Sequence, residues 1–421
     1  MSDFNVNIHQ LRNDFSNTHS NPSIYRVNDS IRSTNEKAYD PMIISIGPLH
    51  RGKSHLKAME KHKRRYREQL LENSGPLDVY KDAIRSMVKE ARDFYAQEIA
   101  LDDNEFLDML VLDGLFIVEF LREYKLVDGG GVMRDRNPIF DSEYIVSHIL
   151  RDLMLFENQI PMSVVEALFC LSKKDEKKEF KDLIWPLSRC HDMPHALTAD
   201  DATRPKHLLG LVHSVKCFSF AQRRHSNHVK RCEKENINSA MDLTESGIVF
   251  RKKAAGKDCS DWLDITFEKR TLYIPELRIS DETESLFRNM IAHEYYRSGS
   301  SPRYVSDYVF FLHCLMSSTK DVEVLRRCGV ISNWLGGDAR VYEVVDRLGT
   351  NVFNSRDFSY EDVFSSINEH CGLKWNKWIA VLRRHHFNNP WTMLSLVAAV
   401  VLLTATIVQT VFTVLSFYKK T

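Results

Sequence analysis

One short segment of the chain matches the pattern Gly-x-x-x-x-Gly-Lys-Ser/Thr, which binds phosphate groups in nucleotide hydrolases. Its residues are Gly47, Gly52, Lys53 and Ser54. The segment follows a strand-like apolar run and precedes a helical pattern, which is the usual position of such a loop. Asp113, which follows the apolar run Met109–Leu112, would then bind magnesium. These residues predict a nucleotide-binding enzyme as one alternative.

The sequence around Asp113 favours a different interpretation of the same residues. Apolar residues continue for several positions beyond Asp113, which indicates a helix and not a strand. The alternation of strands and helices that builds a parallel sheet is also missing. The competing interpretation is a Gly-Pro turn followed by a helix on which Lys53 is exposed, with no catalytic constellation.

Two further groups contain residue types that bind metal ions. They are Cys217, His225, His228 and Cys232, and Cys190, His191 and His195. Neither group has the ligand spacing of known zinc sites. No nucleophile elbow of the Gly-x-Ser-x-Gly type is present. We therefore expect no bound metal, no cofactor and no enzymatic activity.

Most of the elements that must position these residues show helical periodicity. The stretch 106–121 is apolar on nearly every face, which predicts a helix at the centre of a core. Between 247 and 279, β-branched and aromatic runs alternate with polar turns, which predicts a small antiparallel β meander. The predicted fold is mainly α with this meander (α+β), a helical body plus one C-terminal transmembrane helix.

The segment Glu157-Asn158-Gln159-Ile160-Pro161 separates two predicted helices. Pro161 suits the first turn of the second helix, because its missing N–H needs no partner there. The side chains of Asn158 and Gln159 can bond the carbonyl groups left open at the end of the first helix.

Charge and cysteine content exclude several classes of protein. Lys and Arg together number 57, as do Asp and Glu, so the net charge is zero. A general nucleic-acid binder is usually basic, and no nucleic-acid partner is expected. The eight cysteines are scattered without paired spacing, which argues against a disulfide framework. The N-terminus lacks the apolar run of a signal peptide.

The stretch 391–418 contains no charged side chain. As a helix its 28 residues would be about 42 Å long, against a hydrocarbon core of roughly 30 Å. Trp391 and Tyr418 would mark its ends as interfacial aromatics. The sequence therefore predicts a single-pass, tail-anchored membrane protein that contacts the bilayer through 391–418. Its body would be cytosolic, the alternative being the extracellular face of the plasma membrane.

Several segments together resemble one plant family. They are YDPMIISIGPLHRGKSHLKAMEKHKRRY, VLDGLFIVEF, NPIF with RDLMLFENQIP, LTESGIVF, LDITF with LYIPELRISDETESLFRNMIAHE, DYVFFLHCLMSSTKDVEVLRRCGVISNWLG, and the NNPW-led C-terminal run. The chain resembles the family called "domain of unknown function 247" over about 24–418, with the motifs in the same order. The resemblance implies a membrane-anchored plant protein without established catalytic residues. Some members of that family determine self-incompatibility in grass pollen.

These observations divide the chain into a flexible N-terminus at 1–22, a family domain at 23–388 with a small sheet near 247–279, and the anchor at 391–418. The leading hypothesis is a membrane-anchored recognition or signalling component that binds another protein. Self-recognition in pollen or pistil is a special case of it. Surface loops at 126–138, 172–206 and 221–236 would carry specificity, because loops tolerate variation. The alternative remains a nucleotide-binding enzyme that uses 47–54.

Overall fold

The computed structural model describes residues 22–131, 137–172, 180, 183–184, 187, 205–226, 236–254, 261–297, 301–352, 355, 357–372 and 390–418. The predicted flexible N-terminus at 1–22 lies outside them except for Pro22. Much of the three predicted specificity loops also lies outside the described residues. The boundaries of the predicted domains are therefore not tested by the structure and stay predictions.

The first half of the fold is a group of helices around one central helix. These are α1 (Asp29–Arg32), α2 (Lys57–Ser74), α3 (Leu77–Arg85), α4 (Val88–Asp93), α5 (Asp103–Asp128), α6 (Glu143–Asp152) and α7 (Met162–Leu171). Helix α5 begins at a capping box in which Asp102 and Glu105 each bond the other's backbone N–H. It packs against α2, α3, α4 and α7, and its residues from Phe106 to Leu121 are buried except Asp108. The prediction of a central core helix is confirmed.

Among the described residues, the second half contains the remaining helices and the five strands. Its helices are α8 (Leu208–Ser226), α9 (Ala240–Glu245), α10 (Thr283–Tyr296), α11 (Tyr304–Leu315), α12 (Thr319–Arg327), α13 (Asp338–Gly349), α14 (Glu361–Gly372) and α15 (Pro390–Tyr418). Helix α10 packs against α8, α11 and α13. One continuous cluster of buried apolar residues joins the two halves.

The strands form two small sheets. They are β1 (Val249–Lys253), β2 (Thr266–Glu268), β3 (Thr271–Pro275), β4 (Leu277–Ile279) and β5 (Ile331–Asn333). Strand β2 pairs antiparallel with β3, as predicted. Strand β1 pairs parallel with β3, and β4 pairs parallel with the distant β5. The α+β class is therefore confirmed but the antiparallel meander is wrong, because β1 joins the other edge of β3 after a crossover.

The corner between α6 and α7 is fixed by its own side chains. Asn158 donates from Nδ2 to the backbone oxygen of Asp152 at 2.9 Å. Gln159 donates from Nε2 to the backbone oxygens of Leu153 and Leu155 at 2.7 and 2.8 Å. Helix α7 begins directly after Pro161. The expected capping of α6 by Asn158 and Gln159 is confirmed.

The C-terminal helix α15 corrects the membrane prediction. Across the described ranges, none of the helices has the combined length and apolar character that crossing a bilayer requires. This finding contradicts the predicted transmembrane anchor at 391–418, with Trp391 and Tyr418 at its ends, and the single-pass membrane localisation.

Candidate functional site

Gly47 lies at a tight contact between the N-terminal segment and the helical core. Its φ of +75° is in the left-handed region that favours glycine. Its backbone N–H donates to Oδ2 of Asp113, on α5, at 2.8 Å. A Cβ at this position would lie 2.5 Å from the backbone oxygen of Gln159. Glycine is therefore required by packing here, and the Gly-Pro turn is held against α5.

The carboxylate of Asp113 is bound by the protein's own groups. Nζ of Lys63 lies 2.7 Å from Oδ1 of Asp113, and each side chain is only 1% exposed. Lys63 also donates to the backbone oxygen of Ser45 and pairs with Glu60 at 2.6 Å. Burial raises the pKa of Asp113, although Lys63 and the Gly47 N–H act in the opposite direction. The group forms an internal ion pair that positions the turn.

The other residues of the phosphate-loop pattern lie apart from Asp113. Nζ of Lys53 lies 2.7 Å from Oδ1 of Asp40, and the exposed Ser54 begins a 3-10 helix, Ser54–Leu56. Gly52 is exposed and has a φ of +87°. In a phosphate loop, the lysine and the magnesium ion held by the aspartate contact the same phosphate groups. The structure brings Gly47 to Asp113 but places Lys53 on Asp40, which favours the interpretation as a turn followed by a helix.

Few of the candidate metal ligands can be compared with the structure. Cys217 is buried on α8, and His225 belongs to the same helix, but its side chain lies outside the described residues. Outside them too are Cys190, His191, His195, His228 and Cys232. In the part of the chain that the structure describes, no group of three or more His, Cys, Asp or Glu side chains is arranged to hold a metal ion.

A buried histidine cluster was missed by the sequence analysis. His207, His213 and His293 have ring centroids 5.0 Å (His207 to His293) and 5.2 Å (His213 to His293) apart. Nε2 of His213 lies 2.8 Å from Oε1 of Glu294 and 3.8 Å from Sγ of Cys217. A relay from cysteine through histidine to a carboxylate would use both ring nitrogens. Here both partners face the same nitrogen, so the cluster is not arranged as a catalytic triad.

The electrostatics of this cluster also suit a structural role. Burial lowers the pKa of His207 to about 3 and holds that of His293 well below its usual value. Burial acts in the same direction on His213, but Cys217 and Glu294 outweigh it and raise its pKa to about 10. Glu294 also accepts the backbone N–H groups of residues 305 and 306, at the start of α11. A protonated His213 thus balances a buried carboxylate that joins α8, α10 and α11.

Trp334, which directly follows β5, is a large hydrophobic residue that faces solvent. Its side chain is 68% exposed, yet its backbone is fixed, because its N–H donates to the oxygen of Ile279 at 2.9 Å. The indole N–H donates to Oγ of Ser332 at 3.1 Å. Oδ1 of Asn333 accepts the N–H of Leu335 at 2.8 Å. The loop therefore presents an aromatic ring to solvent in one defined orientation.

Two arginines lie near Trp334, one on β4 and one at the start of α13. Arg278 is opposite Ser332 in the β4–β5 register, and alternation along the strand places Trp334 on the same face as Ser332. Arg278 is exposed, and no carboxylate of the described residues lies within 4.0 Å of its guanidinium. Arg340 donates to the backbone oxygen of Leu335 at 2.8 Å and is 63% exposed. We call Arg278, Ser332, Trp334 and Arg340 the Trp334 platform.

The base of the platform is held by a second set of contacts. Arg326 pairs with both carboxylate oxygens of Asp338, at 2.9 and 3.0 Å, and Asn333 donates to the same carboxylate at 3.3 Å. Gly336 turns the chain with a φ of +88°. The sequence signal for this loop is the Gly336-Gly337 pair directly after Trp334-Leu335. That signal marks a turn but does not reveal that the indole faces solvent.

Comparisons with known proteins place the chain among plant proteins. The model of a family described as "Plant protein of unknown function" (DUF247) matches residues 24–405. The chain is 29% identical to "UPF0481 protein At3g47200" of Arabidopsis thaliana, over 94% of this chain and 86% of that protein. It is 22% identical to "Putative UPF0481 protein At3g02645" of the same plant, over 90% and 88% of the two chains. No solved structure matches the chain.

Proposed function

We propose that this chain, which belongs to the plant family of unknown function DUF247, is a recognition component that binds another protein through the Trp334 platform. The observation that carries this proposal is the 68% exposed indole of Trp334 on a loop whose backbone is fixed by hydrogen bonds. No catalytic residues support an enzymatic alternative within the described ranges.

Tryptophan and arginine are the residues that contribute most often to the binding energy of protein interfaces. A tryptophan can bury about 250 Å², so covering the exposed part of Trp334 removes about 170 Å² from water, worth about 4 kcal/mol. Because the loop is already ordered, little conformational entropy is lost when a partner covers it. A single side chain can therefore contribute much of the affinity.

The basic residues of the platform define the partner's chemistry. Arg278 and Arg340 flank the indole, and the nearest carboxylate to Arg340 is that of Asp281, at 3.6 Å on an 84% exposed side chain. Such exposed pairs are weak and exchange easily. The complementary surface is therefore an apolar pocket for the indole with carboxylates at its rim.

The test compares two exposed aromatic residues in the full-length protein. A diazirine crosslinker at position 339, an exposed alanine beside Arg340, first identifies the partner, whose affinity is then measured with purified protein. Trp334→Ala should weaken binding by at least about tenfold, since about 4 kcal/mol of apolar burial is at stake. The matched control is Tyr144→Ala, since Tyr144 is 62% exposed but stacks on His148 of its own helix. Equal affinities for wild type and Trp334→Ala would overturn the proposal.

Allelic self-recognition, which the family resemblance implies for some members, is the special case of this proposal in which the partner varies between alleles. The predicted specificity loops at 126–138, 172–206 and 221–236, of which 126–128 and 221–226 are the helical ends of α5 and α8, would then select the partner, while Trp334 supplies affinity. Exchanging these loops between two alleles should exchange partner choice. If chimeras keep the partner of the parent body, this special case is wrong even though the Trp334 platform can still bind.

A further inference from the structure

We propose that a basic ridge formed by Arg51, Lys57, Lys61 and Arg64 binds an acidic helix of a partner protein. The ridge lies on α2 and on the turn before it, whereas the Trp334 platform lies on β4, β5 and the start of α13. The two surfaces therefore depend on different elements, and the ridge can be tested without the platform.

The ridge is a local excess of positive charge in a chain whose net charge is zero. Residues 51–67 include eight Lys or Arg and a single acidic residue, Glu60. Glu60 pairs with the buried Lys63 at 2.6 Å, so it does not neutralise the surface. Lys53 is also neutralised, by Asp40 at 2.7 Å. What remains at the surface of 51–68 is an excess of positive charge, with Glu68 as its exposed acidic residue.

The four ridge residues share two properties. Each is exposed, and among the described residues none has a carboxylate within 4.0 Å of its charged group; they are Arg51, Lys57, Lys61 and Arg64. An exposed cation without a partner is ordinary by itself, but four within fourteen residues form a site with a defined charge. Their charged groups are therefore free to pair with carboxylates of another molecule.

Helix geometry arranges three of these charges in a line. Lys57, Lys61 and Arg64 follow the spacing i, i+4, i+7, which places them on one face of α2. Along the helix axis they are about 6 and 4.5 Å apart. The opposite face is fixed in the core through buried residues that include Met59, Tyr66 and Leu70. The orientation of the ridge is therefore set before any partner binds.

The spacing favours a helical acidic partner. A second helix that carries Glu at i, i+4 and i+7 repeats the same distances, so it can place a carboxylate against each of the three cations at once. Ser54 and Ala58 are small and exposed beside the ridge, which leaves room for the backbone of a second helix. The arrangement fits a helix better than an irregular acidic tail.

Nucleic acid fits this surface less well. Single-stranded nucleic acid is bound by stacking bases on exposed aromatic rings, and the only Phe, Tyr or Trp between 51 and 68 is Tyr66, which is buried. Nucleic-acid-binding domains are also basic overall, whereas this chain has 57 basic and 57 acidic side chains. We therefore assign the ridge to an acidic protein helix.

The complex will be weak and salt-sensitive because each exposed ion pair contributes little, so the test traps it covalently. Full-length protein is mixed at low salt with a synthetic helical peptide that has Glu at i, i+4 and i+7. A carbodiimide then links lysine amines to carboxylates in direct contact. Crosslinks should concentrate at Lys57 and Lys61 over the equally exposed Lys89 and Lys320.

A substitution that cannot itself be crosslinked supplies the control. Arg64→Gln removes one attraction, so it should lower the crosslink yield at Lys57 and Lys61 about twofold. Arg251→Gln, at another exposed arginine without an ion pair in the described structure, should leave that yield unchanged. Both variants alter only surface residues, and the fold is checked by circular dichroism.

Three results would overturn the assignment. Crosslinks spread evenly over all exposed lysines would mean that no site exists. Equal yields with a peptide of the same composition but scrambled Glu spacing would contradict the helical partner. Duplex DNA or phosphatidylserine vesicles can be added as competitors, at the same concentration of negative charge as the peptide. If they displaced the peptide and abolished its crosslinks to Lys57 and Lys61, the ridge would be assigned to a phosphate-bearing ligand instead.

Discussion

Replacing Gly47 by alanine should destabilise the fold far more than replacing Gly52, although both glycines belong to the same phosphate-loop-like segment. Both have positive φ, +75° and +87°. A Cβ at Gly47 would lie 2.5 Å from the backbone oxygen of Gln159 and 3.1 Å from the hydroxyl of Tyr95. A Cβ at Gly52 would meet nothing within 4 Å. Comparing the two variants therefore separates the free-energy cost of backbone strain from that of the packing clash.

The magnitudes follow from these contacts. Alanine in the left-handed region costs about 1–2 kcal/mol, of which about 0.4–1 kcal/mol is offset by lower entropy of the unfolded chain. Gly52→Ala should therefore cost about 1 kcal/mol. At Gly47 the clash adds about 1–3 kcal/mol, and it disturbs the Gly47–Asp113 and Tyr95–Gln159 hydrogen bonds, each worth about 1 kcal/mol. Gly47→Ala should cost about 4–6 kcal/mol, a large share of a typical stability of about 5–15 kcal/mol.

The assay is equilibrium unfolding in urea, followed by circular dichroism, with the slope of free energy against urea compared between variants. Equal slopes allow the shift in midpoint to be converted into free energy. If Gly47→Ala and Gly52→Ala have the same midpoint, the packing of the turn against Gln159 is not as described. The interpretation of 47–54 as a structural turn would then lose its main support.

Three further outcomes follow from buried and exposed charges. Asp152 accepts the backbone N–H groups of residues 42–44, so Asp152→Ala should cost about 3 kcal/mol; urea unfolding checks this against Asp82→Ala, at a 70% exposed side chain, which should change little. Burial lowers the pKa of His207 from 6.5 to about 3, so the unfolded chain alone binds a proton between these values. Stability should therefore decrease as the pH is lowered through that window, by about 2 kcal/mol at pH 5. His207→Asn keeps an acceptor for the backbone N–H of Gly210 and should remove this part of the pH dependence in melting experiments. Lys53→Ala should cost below about 1 kcal/mol because its ion pair is partly exposed; millimolar ATP with magnesium should not raise the melting temperature of either form, and a rise abolished by Lys53→Ala would restore the nucleotide-binding alternative.

Sequence patterns predicted the elements whose structure depends on residues only a few positions apart in the chain. The uniformly apolar stretch around Leu112 became the central helix α5. Asn158 and Gln159 cap α6 because their partners lie within six residues. The β2–β3 hairpin is also local, since only Lys269 and Arg270 separate its strands. In each case the physical cause acts over a few residues and can be read from the sequence.

The contacts that the sequence did not predict join residues far apart. Lys63 meets Asp113 across 50 positions, and β4 pairs with β5 across more than 50, so nothing in either segment alone indicates its partner. Trp334 belongs to a residue type that is usually buried for much of its surface. Its exposure depends on how the loop turns at Gly336. The uncharged run at 391–418 predicted a membrane span, which the described part of α15 contradicts.

The most direct test of the central claim is amide hydrogen exchange on the full-length protein, with and without its purified partner. Binding through the Trp334 platform predicts slower exchange over 331–340 and over the opposing strand β4, because a covered and already ordered loop opens less often. Amide exchange in α6, which carries the exposed Tyr144, should be unchanged. Protection confined to other segments, with exchange at 331–340 unaltered at saturating partner, would contradict recognition through Trp334.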